Sequence, residues 1–207
     1  FEAYEAYVIV ITPTKQNNIK GGDKNFYVKQ TVATIEGSWE VAFDPNWGGP
    51  EKITFDKLED WIDRPEEGIK YYSGKAIYTK SFDCAQAGKG TKLFLNLGKV
   101  NNLARVKLNG KYLGIVWTTP LEVEITTAVQ EKNNQLEIEV VNLWGNRLIG
   151  DEGYKDDGIV DGKWPEWVLN DEARPSKRYT FTSFKHYTKE SPLQSSGLLG
   201  PVTIQIQ

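Results

Sequence analysis

One cysteine, Cys84, and one histidine, His186, are all this 207-residue chain holds of the side chains most used for metal binding and nucleophilic catalysis. A lone cysteine excludes an internal disulfide and leaves the redox compartment open. Cys84 reads as a small apolar filler near a strand end. One histidine and one cysteine do not make the usual zinc ligand sets. A histidine-based nucleophilic mechanism has a single candidate base, His186, in a polar loop among Lys185, Tyr187 and Lys189, where a solvated surface role is the simpler reading. Positive charge is not in excess: 25 Lys and Arg face 28 Asp and Glu, a net charge of −3. A nucleic-acid partner would call for a basic face, so none is expected. No apolar run reaches the length of a membrane span, and no basic leader precedes an apolar one. No glycine loop suits a phosphate, because Gly48-Gly49-Pro50 leads into a strand and not a helix.

Aromatic residues, in contrast, are abundant: seven Trp and ten Tyr. Most suit the core of a β-protein. The others suit a carbohydrate surface, where flat rings meet the C–H faces of a pyranose and amide, arginine and carboxylate groups meet its hydroxyls.

The stretch Leu93–Asp151 organises the chain. Four segments alternate apolar and polar residues: Leu93/Leu95/Leu97, Ala104/Val106/Leu108, Leu121/Val123/Ile125 and Leu136/Ile138/Val140. Period-two alternation places these on one sheet face and Arg105, Lys107, Glu122, Glu124, Glu137 and Glu139 on the other. Asn109-Gly110 predicts a type I′ hairpin turn, since both residues tolerate positive φ. Further strands are expected at residues 7–11, at 37–43 with Trp39, Val41 and Phe43 inward, over 69–82 with a break at Ser73-Gly74, at 179–184, and at the end through Val202, Ile204 and Ile206. Phe55, Leu58, Trp61 and Ile62 stand at helical spacing and predict one helical turn before Pro65. Residues 13–30 read as a linker or long hairpin loop. Residues 145–178 read as one long loop, of a length that is usually functional or disordered, and Trp164 and Trp167 argue against disorder. The fold expected is all-β, an antiparallel β-sandwich with function in the loops at its ends. The first strand begins without a cap or turn, as in a chain cut from a longer one. Residues 1–34 are assigned to a strand and linker from an upstream region, and residues 35–207 to the sandwich.

Loop carboxylates are plentiful: Asp44, Asp60, Asp63, Asp151, Glu152, Asp156, Asp157 and Asp161. A two-carboxylate glycosidase site therefore stays open on composition, beside the plainer reading of solvated loop charge. No cofactor is expected. Structural calcium is the one metal that clustered oxygen ligands suit, although residues 151–161 do not follow EF-hand spacing. The most specific local feature is WGNRLIGD, residues 144–151. Arg147 and Asp151 there either pair and tie the loop down, or Asn146 and Arg147 face outward to bind hydroxyls with Trp144 or Trp117 as a stacking platform. The candidate carbohydrate contacts are Trp117, Trp144, Asn146, Arg147, Asp151, Trp164 and Trp167. No catalytic or metal-binding residue is assigned.

The segment KVNNLARVKLNGKYLGIVWTTPLEVEITTAVQEKNNQLEIEVVN resembles the sugar-binding jelly-roll domain of family 2 glycoside hydrolases, galactose-binding-like in fold. The shared frame falls on Ala104, Val106, Asn109, Gly110, Gly114, Pro120, Ile125, Thr126, Asn134, Leu136, Val140 and Asn142. The flanks GSWEVAFDPNWGGP (37–50), LEDWIDRPEEGIKYYSGKAIYTKSF (58–82), LWGNRLIGD (143–151) and SSGLLGPVTIQ (195–205) are closer to the carboxy-terminal domain of family 106 α-L-rhamnosidases. The resemblance implies a non-catalytic accessory module that binds carbohydrate, with an upstream catalytic barrel on the same polypeptide and a periplasmic or extracellular location. A structural interdomain module without a ligand and a self-contained glycosidase are the alternatives. Fold likeness alone does not establish sugar binding.

Overall fold

The computed structural model describes Ile11, Pro13, residues 28–182 and residues 184–207. The strand expected at 7–11, apart from Ile11, and most of the expected linker lie outside the described residues. Twelve strands follow in chain order among the described residues: β1 (Gln30–Thr34), β2 (Trp39–Phe43), β3 (Ile53–Phe55), β4 (Lys75–Phe82), β5 (Leu93–Asn96), β6 (Lys99–Asn101), β7 (Leu103–Leu108), β8 (Lys111–Val116), β9 (Glu122–Glu124), β10 (Asn134–Val141), β11 (Gly197–Gly200) and β12 (Thr203–Ile206). Three short α-helices join them: α1 (Glu67–Lys70), α2 (Gly145–Asp151) and α3 (Glu166–Leu169). No helix among them is long and apolar enough to cross a membrane.

The strands build a six-stranded sheet in the order β3-β2-β4-β10-β7-β8, a four-stranded sheet in the order β1-β12-β5-β9, and a small pair, β11-β6. Every pairing between named strands is antiparallel. The alternation in β10 explains its central place. Leu136, Ile138 and Val140 are buried, and they join Leu95, Val123, Ile125 and Ile204 from the other sheet in one core. Burial of each such side chain contributes about 1.5–3 kcal/mol. The opposite face carries Glu137 across from Lys107 and Glu139 across from Arg105, as ion pairs of 3.6 and 3.4 Å. These partners leave Lys107, Glu137 and Glu139 half-buried, on the face where largely exposed side chains were expected. Glu122 is likewise half-buried, through its ion pair with Lys29.

The β7–β8 turn follows the expectation: Asn109 and Gly110 have φ of 51° and 80°. The helical turn before Pro65 is a 3-10 turn at Trp61–Asp63, capped by Asp60. Four readings change. Residues 30–34 form β1, paired with β12, so the sheet takes in residues assigned to the linker. The strand expected over 69–82 begins only at Lys75, because Ile69 and Lys70 close α1. The loop expected over 145–178 contains α2 and α3. No strand forms among the described residues of 179–184. There the Tyr179 and Thr180 N–H groups donate to the Asp151 carboxylate, not to a neighbouring strand.

An aromatic cluster closes the core beneath the rim where β2 and β10 end. Trp39, Phe43, Phe55, Trp61, Tyr72 and Tyr78 pack mostly edge to face. The Trp61 indole donates to Tyr78 Oη at 2.6 Å, and burial pushes the Tyr78 phenol well above its ordinary range.

Candidate functional site

The rim is set by how β10 ends. Asn142 Nδ2 donates to the Tyr72 carbonyl at 2.8 Å, and its Oδ1 accepts from Gly74 N at 2.9 Å. Ser73 Oγ donates to the Leu143 carbonyl and accepts from Arg147 N. The turn at 72–74 thus grips both the end of β10 and the first turn of α2. Trp144, between the two, is left on the outside and is 54% exposed. Its ring meets Trp47 edge to face, with centroids 5.2 Å apart. Trp47 is itself held by a 3-10 turn whose cap, Asp44, accepts from Asn46 N.

Within α2 the polar residues turn inward. Asn146 is buried: Nδ2 donates to the Gln194 carbonyl at 2.7 Å and to Ser196 Oγ, and Oδ1 accepts from Gln194 N. Asp151 is fully buried. Its Oδ1 accepts from Arg147 Nε at 3.1 Å, and its Oδ2 accepts from Tyr179 N, Thr180 N and Thr180 Oγ1 at 2.6–2.9 Å. Neither Asn146 nor Asp151 is presented to a ligand, contrary to the outward arrangement considered for Asn146. Both are used to fasten loops onto α2. Arg147 pairs with Asp151, as one reading held, but Nε alone is engaged. Among the described residues neither terminal nitrogen has a hydrogen-bond partner, and no fully buried side-chain nitrogen or oxygen lacks one, so both terminal nitrogens keep some accessible surface.

The long segment after α2 is ordered by its own charges. Arg174 meets Asp157 through two hydrogen bonds of 2.8 Å, Ser176 Oγ donates to the same carboxylate, and the Trp167 indole donates to the Asp157 carbonyl. The Arg174 hydrogen bonds hold the Asp157 carboxyl down to about 2. Arg178 pairs with Glu152, and Lys185 with Asp156. Asp151, Glu152, Asp156 and Asp157 are therefore each paired with a cationic side chain. Among the described residues no three of His, Cys, Asp and Glu gather where a metal ion could be held. Phe181 sits at the centre of the segment's aromatic group, with Trp164 stacked on it at 5.6 Å and Trp167 edge-on at 6.0 Å.

Tyr179 lines two of the clefts at this rim. The aromatic groove, about 320 Å³, lies among Trp47, Trp144, Leu148, Tyr179 and Phe181. The arginine cleft, about 530 Å³, has Arg147 and Gly150 in its floor, Tyr71, Tyr154 and Tyr179 around it and Glu67 on its edge. The seven sequence candidates therefore do not form one site. Trp144 lines the groove, and Trp164 and Trp167 stand behind Phe181. Arg147 opens into the other cleft. Trp117, 70% exposed, leaves the same rim after β8, two strands along from β10, or about 10 Å at the usual strand spacing. Trp47, Tyr71, Tyr154, Tyr179 and Phe181 were not among the candidates. Trp47 carried a usable signal, a tryptophan in a turn-rich loop. Phe181 was hidden within the strand expected at 179–184.

Residues 56–174 match the family model described as glycosyl hydrolase 2 galactose-binding domain-like. A putative beta-glucuronidase of Formosa agariphila is 43% identical over 178 residues, 83% of this chain and 15% of that protein. The solved structure of a rhamnosidase from Novosphingobium sp. PP1Y superposes with a TM-score of 0.74 at 34% identity, covering 90% of this chain and 16% of that one. The chain thus spans about a sixth of the length of either relative.

Proposed function

The chain belongs to the glycosyl hydrolase 2 galactose-binding domain-like family, and from that premise we propose that it is a non-catalytic carbohydrate-binding module of a larger, α-L-rhamnosidase-like glycoside hydrolase. The observation that carries the binding role is Trp144. A tryptophan half-exposed at a rim, propped edge-on by Trp47 and opening on a groove backed by Phe181, offers a flat apolar face at fixed orientation. That is the geometry that stacks on the C–H face of a pyranose. The relatives are about six times longer, which leaves ample chain for a catalytic barrel upstream of the sandwich, in an enzyme working in the periplasm or outside the cell. In this reading residues before the sheet belong to the connection with that barrel.

Calorimetric titration with L-rhamnose, D-galactose and oligosaccharides containing them tests the binding role. Trp144→Ala should weaken binding roughly tenfold with little change in melting temperature. Equal affinity in wild type and Trp144→Ala would remove Trp144 from the site. The catalytic alternative is tested on aryl α-L-rhamnosides: turnover that survives repurification and is abolished by a single Asp→Asn change among the loop carboxylates would make the chain itself a hydrolase.

A second reading has its own observation. Leu143 and Trp144 are adjacent exposed apolar residues on the rim, and such patches also serve domain contacts. If the rim only packs against the rest of the enzyme, Trp144→Ala should lower the melting temperature of the whole enzyme and leave sugar titrations unchanged.

A further inference from the structure

Arg147 is 4% exposed, and burial of a guanidinium is costly unless it is paired or has a use. Asp151 satisfies Nε only. The two terminal nitrogens, four N–H donors in a planar fork, open into the arginine cleft. The surroundings hold that fork in place. The guanidinium lies over the Tyr179 ring, 4.7 Å from its centroid. A Cβ on Gly150 would stand 2.6 Å from Arg147 Nη2 and 2.6 Å from Tyr71 Cβ, so only glycine leaves room for the guanidinium there. A Cβ on Gly48, whose φ is +82°, would stand 2.5 Å from Tyr179 Oη. Two glycines thus cradle the floor and one wall of the cleft.

We infer that the Arg147 cleft is a second carbohydrate subsite, separate from the Trp144 groove, and that it takes two adjacent hydroxyls of a neutral sugar. The fork of Nη1 and Nη2 matches a pair of neighbouring oxygen acceptors. Charge decides between a diol and a carboxylate. Asp151 already balances Arg147, Lys189 at the mouth pairs with Glu190 at 3.9 Å, and Glu67 adds a further carboxylate. Among the described residues, the two cations that line the cleft, Arg147 and Lys189, face three carboxylates, Asp151, Glu67 and Glu190, so the cleft carries no net positive charge to attract an anion. A diol instead accepts from the arginine and donates its own hydroxyl protons to Glu67 or a tyrosine oxygen, while Tyr71, Tyr154 and Tyr179 supply ring surface. The inference rests on the carbohydrate-binding reading, and the experiment separates the two.

The test is an NMR titration of the 207-residue chain with L-rhamnose, D-galactose and D-glucuronate, followed on the Arg147 side-chain N–H and the Gly150 and Tyr154 amides. A neutral sugar should shift these signals. Arg147→Lys, which keeps a cation beside Asp151 but loses the fork, should weaken that response about tenfold or more. Tyr154→Ala, at an exposed position, should weaken it severalfold with an unchanged circular dichroism spectrum, and Trp144→Ala should leave it within about twofold. Shifts confined to the Trp144 and Phe181 signals would overturn the subsite and leave the carbohydrate reading standing. Tighter binding of D-glucuronate than of either neutral sugar would replace the diol site by an anion site. Silence of all signals at tens of millimolar sugar, a regime of Kd weaker than about 1 mM, would overturn both.

Discussion

Asp151 and Arg147 lie one turn apart on α2, joined at 3.1 Å through Nε, and Asp151 also holds the backbone of Tyr179 and Thr180, 28 and 29 residues further on. One buried carboxylate therefore does two jobs. It aims the guanidinium, and it closes the long segment back onto the rim so that Tyr179 can wall both clefts. The pairing is possible only because α2 exists. Positions i and i+4 share a helix face, whereas in an extended chain residues 147 and 151 would be more than 10 Å apart.

Asp151→Ala removes these three bonds and the one from the Thr180 hydroxyl, and leaves Arg147 buried without its counter-ion. The expected cost is about 3–5 kcal/mol, as for other broken buried pairs. Asp151→Asn, which keeps one oxygen acceptor, should cost less. Urea denaturation measures both. A change under about 1 kcal/mol in Asp151→Ala would mean that the pair does not support the segment.

The core predicts a different response. Ile138 is fully buried at the centre of β10, flanked by Tyr78 and Val106 on the neighbouring strands. Ile138→Ala should lower stability by about 2–5 kcal/mol through lost burial and a residual cavity. The same change should leave any sugar affinity intact, since Ile138 faces neither cleft.

Gly68 tests the close approach of α1 to the first loop of the rim. A Cβ there would stand 2.2 Å from the Gly48 carbonyl oxygen, a backbone atom that no rotamer change can move aside. Gly68→Ala should cost about 1–3 kcal/mol by overpacking, although alanine is otherwise the better helix former. An unchanged or raised melting temperature would show that α1 has room to shift.

Acid should loosen the long segment through Asp157. Its folded-state carboxyl titrates at about 2, held down chiefly by the Arg174 hydrogen bonds, against an ordinary value of about 3.9 in the unfolded chain. A depressed carboxyl contributes stability that is present above the unfolded value and lost as pH falls through the folded one. The segment should hold at pH 5 and weaken between about pH 4 and pH 2. Trp167, whose indole bonds the Asp157 carbonyl, reports it by fluorescence. Asp157→Asn should loosen the segment already at neutral pH and flatten the acid response. A full-amplitude transition in that variant would assign it to another group.

The β-sandwich was legible in the sequence because its signal is local and repeated. Leu93 to Leu97, Ala104 to Leu108 and Leu136 to Val140 alternate with a period that only a half-buried strand satisfies. Asn109-Gly110 names its own turn through the positive φ that both residues adopt. Trp144 was also legible, as an aromatic residue just beyond the last apolar position of β10. The arrangement of the site was not. Asn146, Arg147 and Asp151 are polar in sequence and buried in the structure: the side chains of Asn146 and Asp151 are satisfied by partners that the fold brings from far along the chain, Gln194 and Thr180, and Asp151 in turn pairs with Arg147 through Nε. A seven-residue helix with a polar inner face has no amphipathic pattern to read. Burial of a polar group depends on whether an acceptor or donor is waiting for it, and that is a property of the assembled sandwich. Local periodicity thus determined the strands of the central stretch. The separation of Trp144 from Arg147 into two clefts, with Tyr179 between them, was decided only when the 152–180 segment folded back onto α2.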